Sequence, residues 1–317
     1  NTVLGEDALD ASVSGGNNTA IGKDALTANT SGEKNTAIGK GALQATTSGI
    51  RNTAVGMNSL QQNTTGSENV AVGAAAMDAN TTGQDNTALG FNALLNNTTA
   101  NNNTAVGSLA LYTNSTGTQN VAVGTNALDA NTTAGGNTAV GYAALTDNTT
   151  GGDNVAIGEV ALQENTTGAQ NTAVGEGALN QNTTADNNTG IGRRALFLNT
   201  TGHSNVAVGA NALDANTTGS FNTATGFQSL TQNTANACSA FGYNAVRNNT
   251  TGANNAGVGY QALEANTTGS NNIAVGSFSL DANTTASNNI AVGYAALTGN
   301  TTGSDSIAIG YQALHQG

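Results

Sequence analysis

Proline and tryptophan are absent from this sequence, cysteine occurs once, and lysine and arginine together number only 7. Each shortage removes a class of protein. With Cys238 alone, an intrachain disulfide is impossible and a cysteine-rich metal site is excluded. The bases Lys23, Lys34, Lys40, Arg51, Arg193, Arg194 and Arg247 are scattered, and 19 acids bring the net charge to −12. A protein that binds nucleic acid by neutralising phosphates needs clustered bases, so no nucleic-acid partner is expected. No apolar run approaches the ~18 residues of a membrane span. Charged residues make up only 8% of the chain, against about 25% in an ordinary domain, which argues against a disordered polyelectrolyte. The sequence opens on Asn1 without a leader peptide, which suggests a processed product or a fragment.

What is present is glycine, 42 of 317 residues, and a strict period of seventeen. Units that open on a run such as Asn-Thr-Ala-Val-Gly start at residues 1, 18, 35, 52 and so on to 222; one residue is then missing within 233–237, and the starts resume at Cys238, 255, 272, 289 and 306. A strict period marks a repeat architecture, read as a single continuous repeat domain over 1–317. Position five is Gly throughout, from Gly5 to Gly310. Position three is Ala except at Val3, Gly190 and Gly257, and position four is Val, Ile or Leu except at Thr225 and Phe241. Position eight is Ala or Ser, and position nine is Leu except at Met77 and Val246. Positions twelve to fourteen are usually Asn-Thr-Thr. Where the residue is missing, the Asn-Thr-Thr-Gly corner is disturbed, so that corner is a loop.

Seventeen residues are too few for a strand, a helix and two loops. They suit one turn of a β-solenoid, stacked on the next at ~4.8 Å. The expected fold is all-β, a β-solenoid or β-roll of about nineteen 17-residue turns. Positions two and four share one side of the extended run, and positions three and five share the other. The larger residues are expected inside, giving a core ladder typified by Val140, Leu145, Ile157 and Leu162. Ala139 and Gly141 typify an Ala/Gly face that lets a second backbone approach closely. Ala-Leu at positions eight and nine fits either a strand or one helical turn. Asn-Thr-Thr-Gly is turn chemistry. So few large apolar groups per turn predict a homo-oligomer, a trimer, packed around the Ala/Gly face.

The run N-T-A-V-G-x-x-A resembles the head repeats of trimeric autotransporter adhesins, with their S-V-A-I-G-x-x-A pattern. The full unit, with Asn-Thr-Thr-Gly, looks like repeats of phage-type tail fibres and bacterial surface fibres. The resemblance covers the whole chain and implies a trimeric left-handed β-roll. The adhesin repeat is a few residues shorter, and the extra residues fall around Asn-Thr-Thr. The anchor and coiled-coil stalk of the adhesins, and the C-terminal chaperone of many tail fibres, have no counterpart in this sequence.

Candidate chemistry is sparse. His203 and His315 stand at different positions of distant repeats, and the Arg193–Arg194 pair fits a solvated corner. Cys238 takes the place of the first-position Asn beside the missing residue and reads as a structural substitute. No Ser-His-Asp order, HExxH motif or phosphate loop is present. No catalytic residue, cofactor or metal is therefore assigned, and an enzyme is not expected. Acids recur at position ten, in Asp10, Asp78, Asp129, Asp214, Glu264 and Asp281, but only the last two are neighbours. The calcium repeat G-G-x-G-x-D is not matched.

Position twelve carries the strongest modification signal. Asn-x-Ser/Thr occurs at Asn29, Asn63, Asn80, Asn97, Asn114, Asn131, Asn148, Asn165, Asn182, Asn199, Asn216, Asn249, Asn266, Asn283 and Asn300. The column is either a row of glycans or an Asn/Thr hydrogen-bonding ladder, and sugars on every rung at ~4.8 Å would crowd, which favours the ladder. The expected function is a structural or adhesive fibre, extracellular, on a cell surface or on a virion. It associates with itself, end to end if open coil edges are left, and has a surface receptor or glycan as a further partner. The alternative is an ice-binding solenoid with ranks of Thr, although at most one Thr of each consecutive pair can face outward.

Overall fold

The computed structural model describes residues 1–11 and 13–315. Gly317, the twelfth position of the nineteenth repeat, lies outside the described residues. The fold is a parallel β-solenoid, with one three-residue strand at positions two to four of each repeat and no helix among the described residues. Two compact units divide the chain, Asn1–Ala156 and Ile157–Gly317.

In the first unit the strands run from β1 (Thr2–Leu4) to β9 (Thr138–Val140), each parallel to the next. Register is set by the period: Thr36 faces Thr53, Ala37 faces Ala54 and Ile38 faces Val55. The backbone follows suit, with Thr36 N–H donating to Asn52 O and Gly56 N–H to Ile38 O, both at 2.8 Å. In the second unit the same ladder runs from β11 (Thr172–Val174) to β19 (Ile307–Ile309). Strand β10 (Val155–Ile157) lies at the division.

Which side of the strand faces inward differs from the sequence expectation. Position three is the inward residue: Ala37, Ala54 and Ala139 are fully buried. The core is completed by the Ala and Leu of positions eight and nine, with Leu26, Leu43, Leu145 and Leu162 also fully buried. Val140 and Ile157 do not join Leu145 and Leu162. Val140 is half-buried and Ile157 is 40% exposed, both on the outer face. The reason is width. A Cβ added at Gly190, a position-three residue, would stand 3.3 Å from Leu179 Cγ. Position three thus meets the Leu of position nine across a narrow interior that has room for alanine and little more. The Ala face is consequently the inside of the coil and is closed to a second chain.

Positions eight and nine form neither a strand nor a helical turn. Residues at positions seven and nine take left-handed backbone angles, as in Asn58 (φ 57) and Leu60 (φ 51). Leucine seldom adopts such angles. Ladder bonds hold the segment: Leu60 N–H donates to Ala76 O at 3.0 Å, and Asn58 N–H to Lys40 O at 2.9 Å. Gly at position five is also left-handed and meets its equivalent in the next repeat.

Candidate functional site

Two asparagine ladders close each turn. Position-twelve Asn donates from Nδ2 to the Oδ1 of its equivalent one repeat earlier, as in Asn80 to Asn63 and Asn97 to Asn80, both at 2.9 Å. The same Nδ2 reaches the position-fifteen carbonyl three residues on, as in Asn97 to Ala100 O at 3.1 Å. Position-one Asn donates to that carbonyl too, as in Asn86 Nδ2 to Ala100 O at 2.8 Å, while its Oδ1 accepts the next position-one N–H. Side-chain amides therefore supply donors and acceptors where the backbone turns away from the ladder.

The sequon asparagines, from Asn29 through Asn300, are all buried, and the most exposed of them, Asn300, reaches only 8%. A glycan would have to be attached at an Nδ2 that is enclosed and donating, so the folded coil offers no column of sugars. The hydrogen-bonding ladder is what position twelve provides. Position-thirteen Thr adds a third column, with Thr64 Oγ1 donating to Thr81 O at 2.9 Å.

The missing residue is explained by this scheme. Ala235 O still accepts from Asn222 Nδ2 at 2.8 Å and from Asn233 Nδ2 at 2.9 Å. What is lost is position fourteen, which in the other corners is exposed, as at Thr218 and Thr251. The cost is local: Asn216 Oδ1 accepts no hydrogen bond. Cys238 substitutes for Asn in kind, its Sγ–H donating to Gly252 O at 3.2 Å. Burial raises the thiol pKa above its ordinary value, which leaves a protonated, enclosed group.

The outer surface carries the remaining features. On the strand face, positions two and four make two columns that mix Thr with Val, Ile and Leu. In the last three repeats these columns become wholly apolar, along β17 (Ile273–Val275), β18 (Ile290–Val292) and β19. Ile273 and Val275 are 41% and 38% exposed. Position fourteen forms a separate exposed rank, including Thr65, Thr82, Thr99, Thr116, Thr133 and Thr150 in the first unit. Ion pairs such as Arg51–Glu68 (2.6 Å) and Arg193–Glu176 (3.2 Å) link neighbouring repeats on the exposed surface and are worth little there.

Arg194 is not a plainly solvated corner residue. It lies 4.0 Å above the Phe197 ring and 3.3 Å from Asp214. His203 packs edge-on against Phe221 at 4.9 Å, and His315 lies on the surface in another repeat. Among the described residues, no group of three or more His, Cys, Asp or Glu is placed to hold a metal ion. An aromatic column was missed in the sequence: Phe227, Tyr243, Tyr260, Phe278, Tyr294 and Tyr311 meet ring to ring, at 5.1 to 5.9 Å. Its signal was available, because these aromatics occupy positions six and seven of consecutive repeats.

Four position-ten acids, Asp78, Asp129, Asp214 and Asp281, sit in a partly desolvated furrow. Burial raises the carboxyl pKa of Asp78, Asp129 and Asp281, the nearby charge of Asp147 raising Asp129 further. Burial also raises Asp214, against the opposing charge of Arg194. A carboxyl whose folded value lies above its unfolded one takes up protons on folding. Stability then rises as pH falls through the window between the raised values and the ordinary 3.8. Thermal melts followed by circular dichroism should therefore show a contribution to Tm that grows as pH falls through that window and is largest at its lower end, and Asp129→Asn should raise the Tm at pH 7.

Against known proteins, no family model matches the chain, and a search of curated proteins returns no match.

Proposed function

We propose that this chain is a structural or adhesive fibre protein that works outside the cell, on a cell surface or a virion, and associates with copies of itself. The observation that carries the reading is the outward strand face. Its side chains repeat at ~4.8 Å, are apolar or threonine, and stay open to solvent along both units. A long regular face of threonine and apolar side chains, wholly apolar in its last three repeats, is a surface for association. Identical columns on copies of the chain would interdigitate without a change of register. The trimer implied by the adhesin-like repeats uses this face and not the alanines, which fill the interior. A receptor or glycan partner belongs to the same reading.

Replacing Ile273 and Val275 together by lysine tests the face. Both side chains project outward, so the coil should keep its far-ultraviolet spectrum while its mass in solution drops to that of one chain. An unchanged assembly would remove this face from the proposal.

Ice binding is the second reading, favoured by the exposed position-fourteen threonines. One column gives a narrow array, and the neighbouring position-thirteen hydroxyls are engaged with the carbonyls of the next repeat. A thermal-hysteresis assay separates the two, since the fibre reading predicts no hysteresis.

A further inference from the structure

In the second unit, three columns of hydrogen bonds tie the Asn-Thr-Thr corner of one repeat to the next. Before the missing residue they are complete. Asn216 Nδ2 donates to Asn199 Oδ1 at 2.8 Å, and Thr200 donates to Thr217 O from its N–H and its Oγ1, each at 2.9 Å. After it they resume. Asn249 Nδ2 donates to Asn233 Oδ1 at 2.6 Å, and Thr234 donates to Thr250 O from its N–H and its Oγ1, each at 2.9 Å. Between repeats thirteen and fourteen all three fail together. Asn233 Nδ2 donates to Ala235 O at 2.9 Å and leaves the buried Asn216 Oδ1 without a partner. Among the described residues, Thr217 donates to Thr234 O from neither its N–H nor its Oγ1.

The cause is the length of the corner. Ala235 O is held by the Asn222 and Asn233 amides where a position-fifteen carbonyl belongs, so the arc from Asn233 is one residue short and draws Thr234 away from Thr217. The strand side of the same contact is intact: Val206 N–H donates to Asn222 O and Gly226 N–H to Val208 O, both at 2.8 Å. Asn283 Oδ1 also lacks a partner, but there Thr284 still donates to Thr301 O from its N–H and its Oγ1, each at 3.2 Å. The repeats beyond the break are bound to one another by a column of their own. The stacked rings begin at Phe227, in repeat fourteen, and continue to Tyr311, whereas repeat thirteen has Ala210 at the same place.

We propose that the short corner is a joint built into the coil, and that residues 222–315 open as one cooperative unit apart from the repeats before Asn222. In a stack of repeats each rung is held by its neighbours alone, so the contact with the fewest ties sets where a cooperative unit ends. The part beyond the joint is the less stable side. Its amide columns carry further gaps at Asn283 Oδ1 and Asn289 Nδ2, and Cys238 stands in for an asparagine. The inference goes beyond the fibre reading and does not depend on it.

The test is hydrogen exchange of the intact chain, read by mass spectrometry as urea is raised below the unfolding midpoint, with labelling of Cys238 by an aromatic disulfide reagent alongside. Cys238 is fully buried and is the one thiol in the sequence, so its labelling rate reads the opening of the repeats beyond the joint. The proposal predicts that ladder amides within 222–315 exchange as a block while those within 171–221 stay protected, with a step at residue 222. Cys238 should be labelled before the far-ultraviolet signal is half lost. Inserting one threonine after Thr234 rebuilds the corner as Asn-Thr-Thr-Ala, the form found at 97–100. That insertion should slow labelling roughly tenfold or more, as three restored hydrogen bonds imply, and remove the step. Deleting Thr184 leaves Asn-Thr-Ala at another corner and should create a second step at residue 171. If neither variant folds, the exchange pattern of the parent decides. Protection that falls gradually along the repeats with no step at 222, labelling that starts only with global unfolding, or a step that survives the insertion would overturn the proposal.

Discussion

Gly107→Ala, like the same change at any interior position-five glycine, should destabilise the coil strongly. Gly107 has φ +135, outside the range that residues with a side chain adopt readily, and a Cβ there would stand 2.5 Å from Gly124 O of the next repeat. Both atoms belong to backbone, so no side chain can swing aside. Backbone strain of this kind costs about 1–3 kcal/mol, and overpacking adds about 1–3 kcal/mol. The substitution also cannot be absorbed by a shift of one rung, because Gly124 stands in the same relation to its own successor. A lowered urea midpoint with an unchanged slope would show the loss; a midpoint within error of the parent would mean that the rungs are not held at this spacing. The same alanine at Gly16, which has open space around its missing Cβ, should be nearly neutral.

Asn97→Asp should be the second large effect, and its sign with pH is diagnostic. Asn97 is fully buried in the middle of the position-twelve ladder. Its Nδ2 serves Asn80 Oδ1 and Ala100 O, and its Oδ1 accepts from Asn114 Nδ2 at 3.1 Å. A carboxylate would keep the acceptor and turn both donor contacts into oxygen against oxygen. An uncompensated buried charge costs roughly 3–5 kcal/mol. Protonation restores one donor, so the carboxyl would be held above its ordinary pKa and the damage would ease as pH falls. Urea titrations at pH 7 and pH 4 read both features. Equal loss at the two values would argue that the amide donors carry little of the ladder.

Much of this was legible beforehand, and the misreadings share one cause. The seventeen-residue rung, the strand at positions two to four and the buried Leu145 and Leu162 follow from period and pattern. The choice of inward face does not, because residue volume pointed the wrong way: Val140 and Ile157 are larger than Ala139 and Ala156, yet the alanines are inside. The interior is set by the Leu of position nine, which folds across and leaves room for a methyl. That constraint appears only when the turn is closed. The left-handed leucines were equally hidden, since propensity argues against them and only the rung-to-rung hydrogen bonds hold them in place. Asn148 could be read as a sequon or as a rung, and the choice rested on spacing.

The account places alanine inside and leaves a solvent-open apolar and threonine face that a fibre would bury between chains. The mass of the native chain in solution tests this most directly, by light scattering coupled to size-exclusion chromatography. The account predicts a β-rich species at a multiple of 31.1 kDa, three times that value if the adhesin-like arrangement holds. A folded, β-rich species at 31.1 kDa that does not associate as its concentration is raised would contradict it.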